Sequence, residues 1–120
     1  MTKTTFVVPR ESRDELTYAV IRVEISDEAA SKGMCCVMPF LAALKSAVTE
    51  WIKTTKEGKN AWEESSKDFN IGDLSNYNLV KIDRILAKQG IHDIDIEVHS
   101  MEGTSEGWSY DTILANTDEL

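Results

Sequence analysis

A chain of 120 residues falls in the range of one domain, and folding at that size buries roughly two-thirds of the surface, so one core forms without metal or disulfide staples. Hydrophobic residues at 42% and charged residues at 28% exclude disorder as the default state. The net charge of −8 belongs to the last quarter: all thirteen Lys and Arg precede residue 89 and balance thirteen acids there, whereas residues 89–120 carry Asp93, Asp95, Glu97, Glu102, Glu106, Asp111, Asp118 and Glu119 with no base.

Such an acidic surface repels phosphate backbones and anionic lipid. Direct nucleic-acid binding is therefore disfavoured, and a protein partner, self-association or a cation is expected instead. The start lacks the apolar core of a signal peptide. The longest apolar-rich segment, 33–48, is interrupted by Pro39 and Lys45 and is too short for a membrane span. A cytoplasmic location without membrane attachment is the expectation. The only cysteines, Cys35 and Cys36, are neighbours, which excludes a disulfide framework.

Residues 4–8 (TTFVV) are β-prone and end at Pro9. In 17–25 (TYAVIRVEI), Ala19, Ile21, Val23 and Ile25 share one face and Arg22 and Glu24 the other, the period of a half-buried strand. The two runs predict a hairpin. Ser26, followed by Asp27 and Glu28, is a helix start with acids where the dipole favours them, and Lys32–Gly33 can stop that helix after about two turns. Pro39 suits the first turn of a longer helix, in which Leu41, Leu44, Val48 and Trp51 recur at helical spacing before an end near Lys53–Lys56.

Residues 56–73 are polar and aperiodic and predict a loop anchored by Trp62, Phe69 and Ile71. Asp73 or Ser75 would then cap a second major helix with Leu79, Ile82 and Leu86 in one stripe, closed by Gly90. In 91–99 (IHDIDIEVH), Ile94, Ile96 and Val98 face one way and Asp93, Asp95, Glu97 and His99 the other. A final strand is predicted within 108–114 (WSYDTIL). The order β-β-α-α-β-β predicts a single α+β domain over 1–120, with a small antiparallel sheet of about four strands and helices on one face.

Three clusters could carry chemistry. Asp93, Asp95, Glu97 and His99 project from one strand face about 7 Å apart. Carboxylates with an imidazole suit a divalent ion that activates water, although a solvated strand face needs the same alternation and the spacing is too wide for four residues to clasp one ion. Asp68, Asn70 and Asp73 (DFNIGD) resemble the opening of a calcium loop, but Asp73 and Leu79 stand where that loop needs Gly and Glu; turn hydrogen bonding is the simpler role. Met34-Cys35-Cys36-Val37-Met38 reads as sulfur-rich core packing rather than a soft-metal site.

Two histidines and no nucleophile, P-loop or zinc motif leave little material for catalysis. The expected function is a non-catalytic binding or regulatory module without cofactor, using Trp62, Asp68, Asn70, Asp73, Trp108 and Tyr110 for interaction. The alternative is a small metal-dependent hydrolase on the Asp93–His99 face, with Glu24 as a further donor. A ligand pocket between sheet and helices is a third reading.

Overall fold

The computed structural model describes residues 1–11, 16–65, 69–101 and 113–115. The N-terminal runs form the expected hairpin, β1 (Thr2–Glu11) and β2 (Leu16–Ile25), with Phe6 opposite Ile21 and Val8 opposite Ala19. Ala19, Ile21, Val23 and Ile25 are all buried, as the period-two pattern requires. Ser26 caps α1 (Asp27–Ser31), its Oγ accepting the Ala29 N–H at 3.1 Å. Gly33, at φ 90°, then turns the chain.

Helix α2 (Val37–Thr54) is the centre of the helical layer. Pro39 sits in its first turn, where a missing N–H leaves no intrahelical bond unmade. Phe40, Ala43, Leu44, Ala47, Val48, Trp51 and Ile52 form its buried stripe, and Phe40 stacks on Phe6 of β1 with ring centroids 4.3 Å apart. The expectation of core packing for Cys35 and Cys36 is corrected: both thiols are free and exposed, and Met38 is 71% exposed. Helix α2 turns its apolar face inward only from Phe40 onward, so Cys35, Cys36, Val37 and Met38 ride on the surface, while Met34 packs partly against the core.

The polar stretch after α2 is also corrected, since it opens as a helix, α3 (Lys56–Glu64). Thr55 serves both helices: its hydroxyl donates to the Trp51 carbonyl at 2.7 Å and accepts the Gly58 N–H at 2.9 Å. The buried face of α3 is Gly58, Ala61 and Trp62, helical in spacing but with a single large apolar side chain in an otherwise polar segment. Next come β3 (Phe69–Asn70), a 3₁₀ helix (Ile71–Asn76) and α4 (Val80–Ala87). The start of α4 is not capped by Ser75 or Asp73; Asn78 Oδ1 accepts the Val80 N–H at 3.1 Å. Ile82 and Leu86 are fully buried, and Gly90 turns at φ 79° as its position predicts.

Among the described residues the main sheet has three antiparallel strands rather than four, in the order β1-β2-β4, with β4 spanning Ile91–Met101. A separate ribbon pairs β3 with β5 (Ile113–Ala115). The terminal strand thus joins the fully buried Phe69 instead of extending the sheet beyond β4. The buried side chains form one cluster contributed by the hairpin, all four helices, β3, the 3₁₀ helix and β4.

Strict alternation along β4 would put Ile91 on the acidic face. Instead Ile91 is fully buried, because the register with β2 slips by one residue: Arg22 faces Asp95, but Glu24 faces His92. The extra residue makes a bulge at Asp93, whose φ is 55°. The neighbouring Ile94 N–H donates to Asp83 Oδ1 of α4 at 3.4 Å, which ties α4 to the strand at the irregularity.

Gly58 makes the close approach of α3 to α2 possible. A Cβ there would run into the Trp51 carbonyl oxygen and lie 2.7 Å from Ile52 Cα, both unyielding backbone. Gly58→Ala should therefore destabilise the fold by about 2–3 kcal/mol despite its better helix propensity, read as a lower urea midpoint at unchanged slope.

Candidate functional site

The helices cover one face of the sheet and, among the described residues, leave the other open. Lys3, Thr5 and Val7 of β1, Tyr18, Val20, Arg22 and Glu24 of β2, and His92, Asp95, Glu97 and His99 of β4 lie on that second face, and none of them is buried. The pairing register sets the rows: Thr5, Arg22 and Asp95 stand side by side, then Val7, Val20 and Glu97, with Tyr18 beside His99 in the next row.

Charges on this face are already matched. The Arg22 guanidinium lies 3.1 Å from Glu97 Oε2 and 3.7 Å from Asp95 Oδ2. His99 Nε2 is 3.2 Å from the same Glu97 oxygen, and its ring stacks on Tyr18 with centroids 5.2 Å apart. The hydrogen bond from Arg22, followed by that with His99, holds the Glu97 carboxyl below its ordinary value. The result is an ordered strip of arginine, carboxylate, imidazole and phenol beside the exposed Val7.

Of the expected metal ligands, the sheet brings Asp95, Glu97 and His99 into one column around Arg22. Asp93 sits at the bulge, out of step with them, and Glu24 faces His92. A guanidinium in the middle of the set supplies the positive charge that an ion would supply. Among the described residues, no group of three or more His, Cys, Asp or Glu side chains is arranged to hold a metal.

Of the expected interaction residues, Trp62, Asn70 and Asp73 are among the described residues, on three different elements. Trp62 is only 8% exposed, on the buried face of α3. Asn70 lies in β3 and Asp73 in the 3₁₀ helix, while Asp68, Trp108 and Tyr110 fall outside the described residues. A cleft of about 340 Å³ separates the end of α2 from α4, but its Glu50, Lys81 and Arg84 are exposed side chains on its rim, not a buried convergent set. The strip also contains Tyr18 and Arg22, which none of the three clusters read from the sequence includes. Their signal was the same alternation that identified β2, since Tyr18, Val20, Arg22 and Glu24 share a parity.

No protein-family model, curated protein or solved structure matches this chain. Among the described residues, no helix is long and apolar enough to cross a membrane.

Two consequences of the geometry are measurable. A positive φ is unfavourable for a side chain but open to glycine, so Asp93→Gly should stabilise the protein or leave it unchanged, while Asp93→Val should cost about 1–2 kcal/mol; paired denaturation curves compare them. The lowered Glu97 carboxyl favours the folded state above the ordinary carboxylate range, and that contribution is lost as pH falls through the lowered value. In Arg22→Ala the Glu97 titration, followed by side-chain NMR, should move up toward normal, and the part of the acid-side stability loss that Glu97 contributes should shrink.

Proposed function

We propose that this protein is a non-catalytic protein-binding module that docks its partner on the open face of the β1-β2-β4 sheet. The observation that supports this reading is the Arg22–Glu97–His99–Tyr18 strip. Its charged groups are oriented by one another before any partner arrives, so ordering them adds little entropic cost on binding, and tyrosine and arginine are the side chains that most often dominate interface energy. The same pairing disfavours hydrolysis, because a metal-bound water needs carboxylates free to ligate and Arg22 engages both Asp95 and Glu97.

A partner of this face presents its own acid to Arg22 or its own base to Asp95, with an apolar group for Tyr18 and Val7. Affinity capture with the native chain, followed by identification of the retained protein and titration of the purified pair, tests the reading. Tyr18→Ala and Arg22→Ala should each weaken the pair about tenfold or more, whereas Ser46→Ala on the exposed side of α2 should leave affinity unchanged. Equal affinity in all three variants, or hydrolase activity that requires Mn²⁺, Mg²⁺ or Zn²⁺ and disappears in Asp95→Ala, would reject it.

A further inference from the structure

The two outer strands of the main sheet are protected very differently. Strand β4 carries the bulge at Asp93, packs against α4 and the 3₁₀ helix, and has its Ile94 N–H taken by Asp83. Strand β1 pairs with β2 on one side and, among the described residues, with nothing on the other. Ten residues of regular edge (Thr2–Glu11) are thereby open, which natural proteins normally blunt or cover.

Which backbone groups of β1 are open follows from the hydrogen-bond parity. The Ser26 N–H donates to the Gly90 carbonyl at 2.9 Å, so even-numbered residues of β2 direct their backbone groups toward β4 and odd-numbered ones toward β1. The pairing of Phe6 with Ile21 and Val8 with Ala19 then turns even residues of β1 toward β2. Lys3, Thr5 and Val7 send both N–H and C=O outward. Pro9 falls on the same outward parity, which is where a strand tolerates a residue without an N–H.

We propose that two copies of this chain join antiparallel along β1, with the two-fold axis at Thr5, to form one continuous six-stranded sheet. In this register Lys3 of each copy faces Val7 of the other and Thr5 faces Thr5. The outward N–H groups of Lys3, Thr5 and Val7 are used in each chain, in three facing pairs that exchange two bonds apiece, and Pro9 and Glu11 fall outside the paired stretch.

Charge favours a second copy as the occupant. A seam one step nearer the N-terminus would place the two Thr5 residues opposite Lys3, and one centred on Lys3 would oppose two ammonium groups; the Thr5-centred seam opposes none. The acids that give the chain its excess charge begin on β4, at the far side of the sheet. In the joined sheet the two β4 strands stand about 24 Å apart, five strand spacings, beyond the ~8 Å over which salt leaves charges in contact.

Surface apolar groups gather at the same place. The axis is perpendicular to the sheet, so both helical layers lie on one side of it. The first turn of α2 sits over β1, with Phe40 on Phe6, and Cys35 Sγ lies 4.0 Å from Thr4 Oγ1, next to the axis. Val37 and Met38, 42% and 71% exposed, belong to that turn and would cover one another across the seam.

Sedimentation and light scattering of the intact chain over a concentration series should give twice the chain mass. Thr5→Pro removes one outward N–H without touching the β1–β2 bonds and should weaken the dimer about tenfold or more. Val7→Lys, which leaves the backbone unaltered and opposes two ammonium groups, should do the same if proline disturbs folding. In Cys36→Ser, a short bis-maleimide should cross-link Cys35 to Cys35, and adding Val7→Lys should abolish the product. A wild-type chain that stays monomeric at millimolar concentration, or a dimer that survives both edge substitutions with its fold intact, would overturn the proposal.

Discussion

The extra residue in β4 controls which side of the sheet the rest of that strand faces. Without it, a continuous alternation would place Ile91 with the carboxylates. With Asp93 turned to φ 55°, the strand enters the core through Ile91, changes phase, and then holds Ile96 inward while Asp95, Glu97 and His99 face water. The unfavourable backbone at Asp93 is maintained by what surrounds it: Ile91 in the core on one side, Arg22 pairing with Asp95 on the other, and Asp83 reaching from α4 to the Ile94 amide.

That phase change also decides the electrostatics of the open face. Three like charges in a column would raise one another's pKa, yet Glu97 moves the other way because Arg22 and His99 both reach the same carboxylate oxygen. These are exposed groups, so their pairing adds little to stability. Its effect is on shape: Tyr18, His99, Glu97 and Arg22 occupy defined places on a surface whose neighbours are short or aliphatic.

β-prone residues made β1 legible, though it runs through Pro9 to Glu11, alternation made β2 and its inward face so, and the cap at Ser26 and the turn glycine at Gly90 could be read from single residues. Helix α3 was hidden because its mean character is polar and its contact face holds one large apolar side chain, Trp62, beside Gly58 and Ala61, the glycine serving close approach to α2. The bulge was hidden for a related reason. Asp93 continues the acid-apolar rhythm of 93–98, and only the burial of Ile91 reveals that the rhythm starts one residue late. The pairing of β5 with β3 rather than with β4 depends on contacts distant in sequence, such as Phe69 with Ala115. Of the candidate site, the acids were apparent but their counter-charge was not, since Arg22 meets them only through the β2–β4 register.

The unequal protection of the two sheet borders has a consequence for growth. A strand added along β1 meets a ready template, but the opposite border is kinked at Asp93 and occupied at Ile94 by Asp83. Addition can therefore happen once and then terminates. A protein with such a border is guarded against polymerising end to end into fibrils, even though, among the described residues, nothing covers the other border.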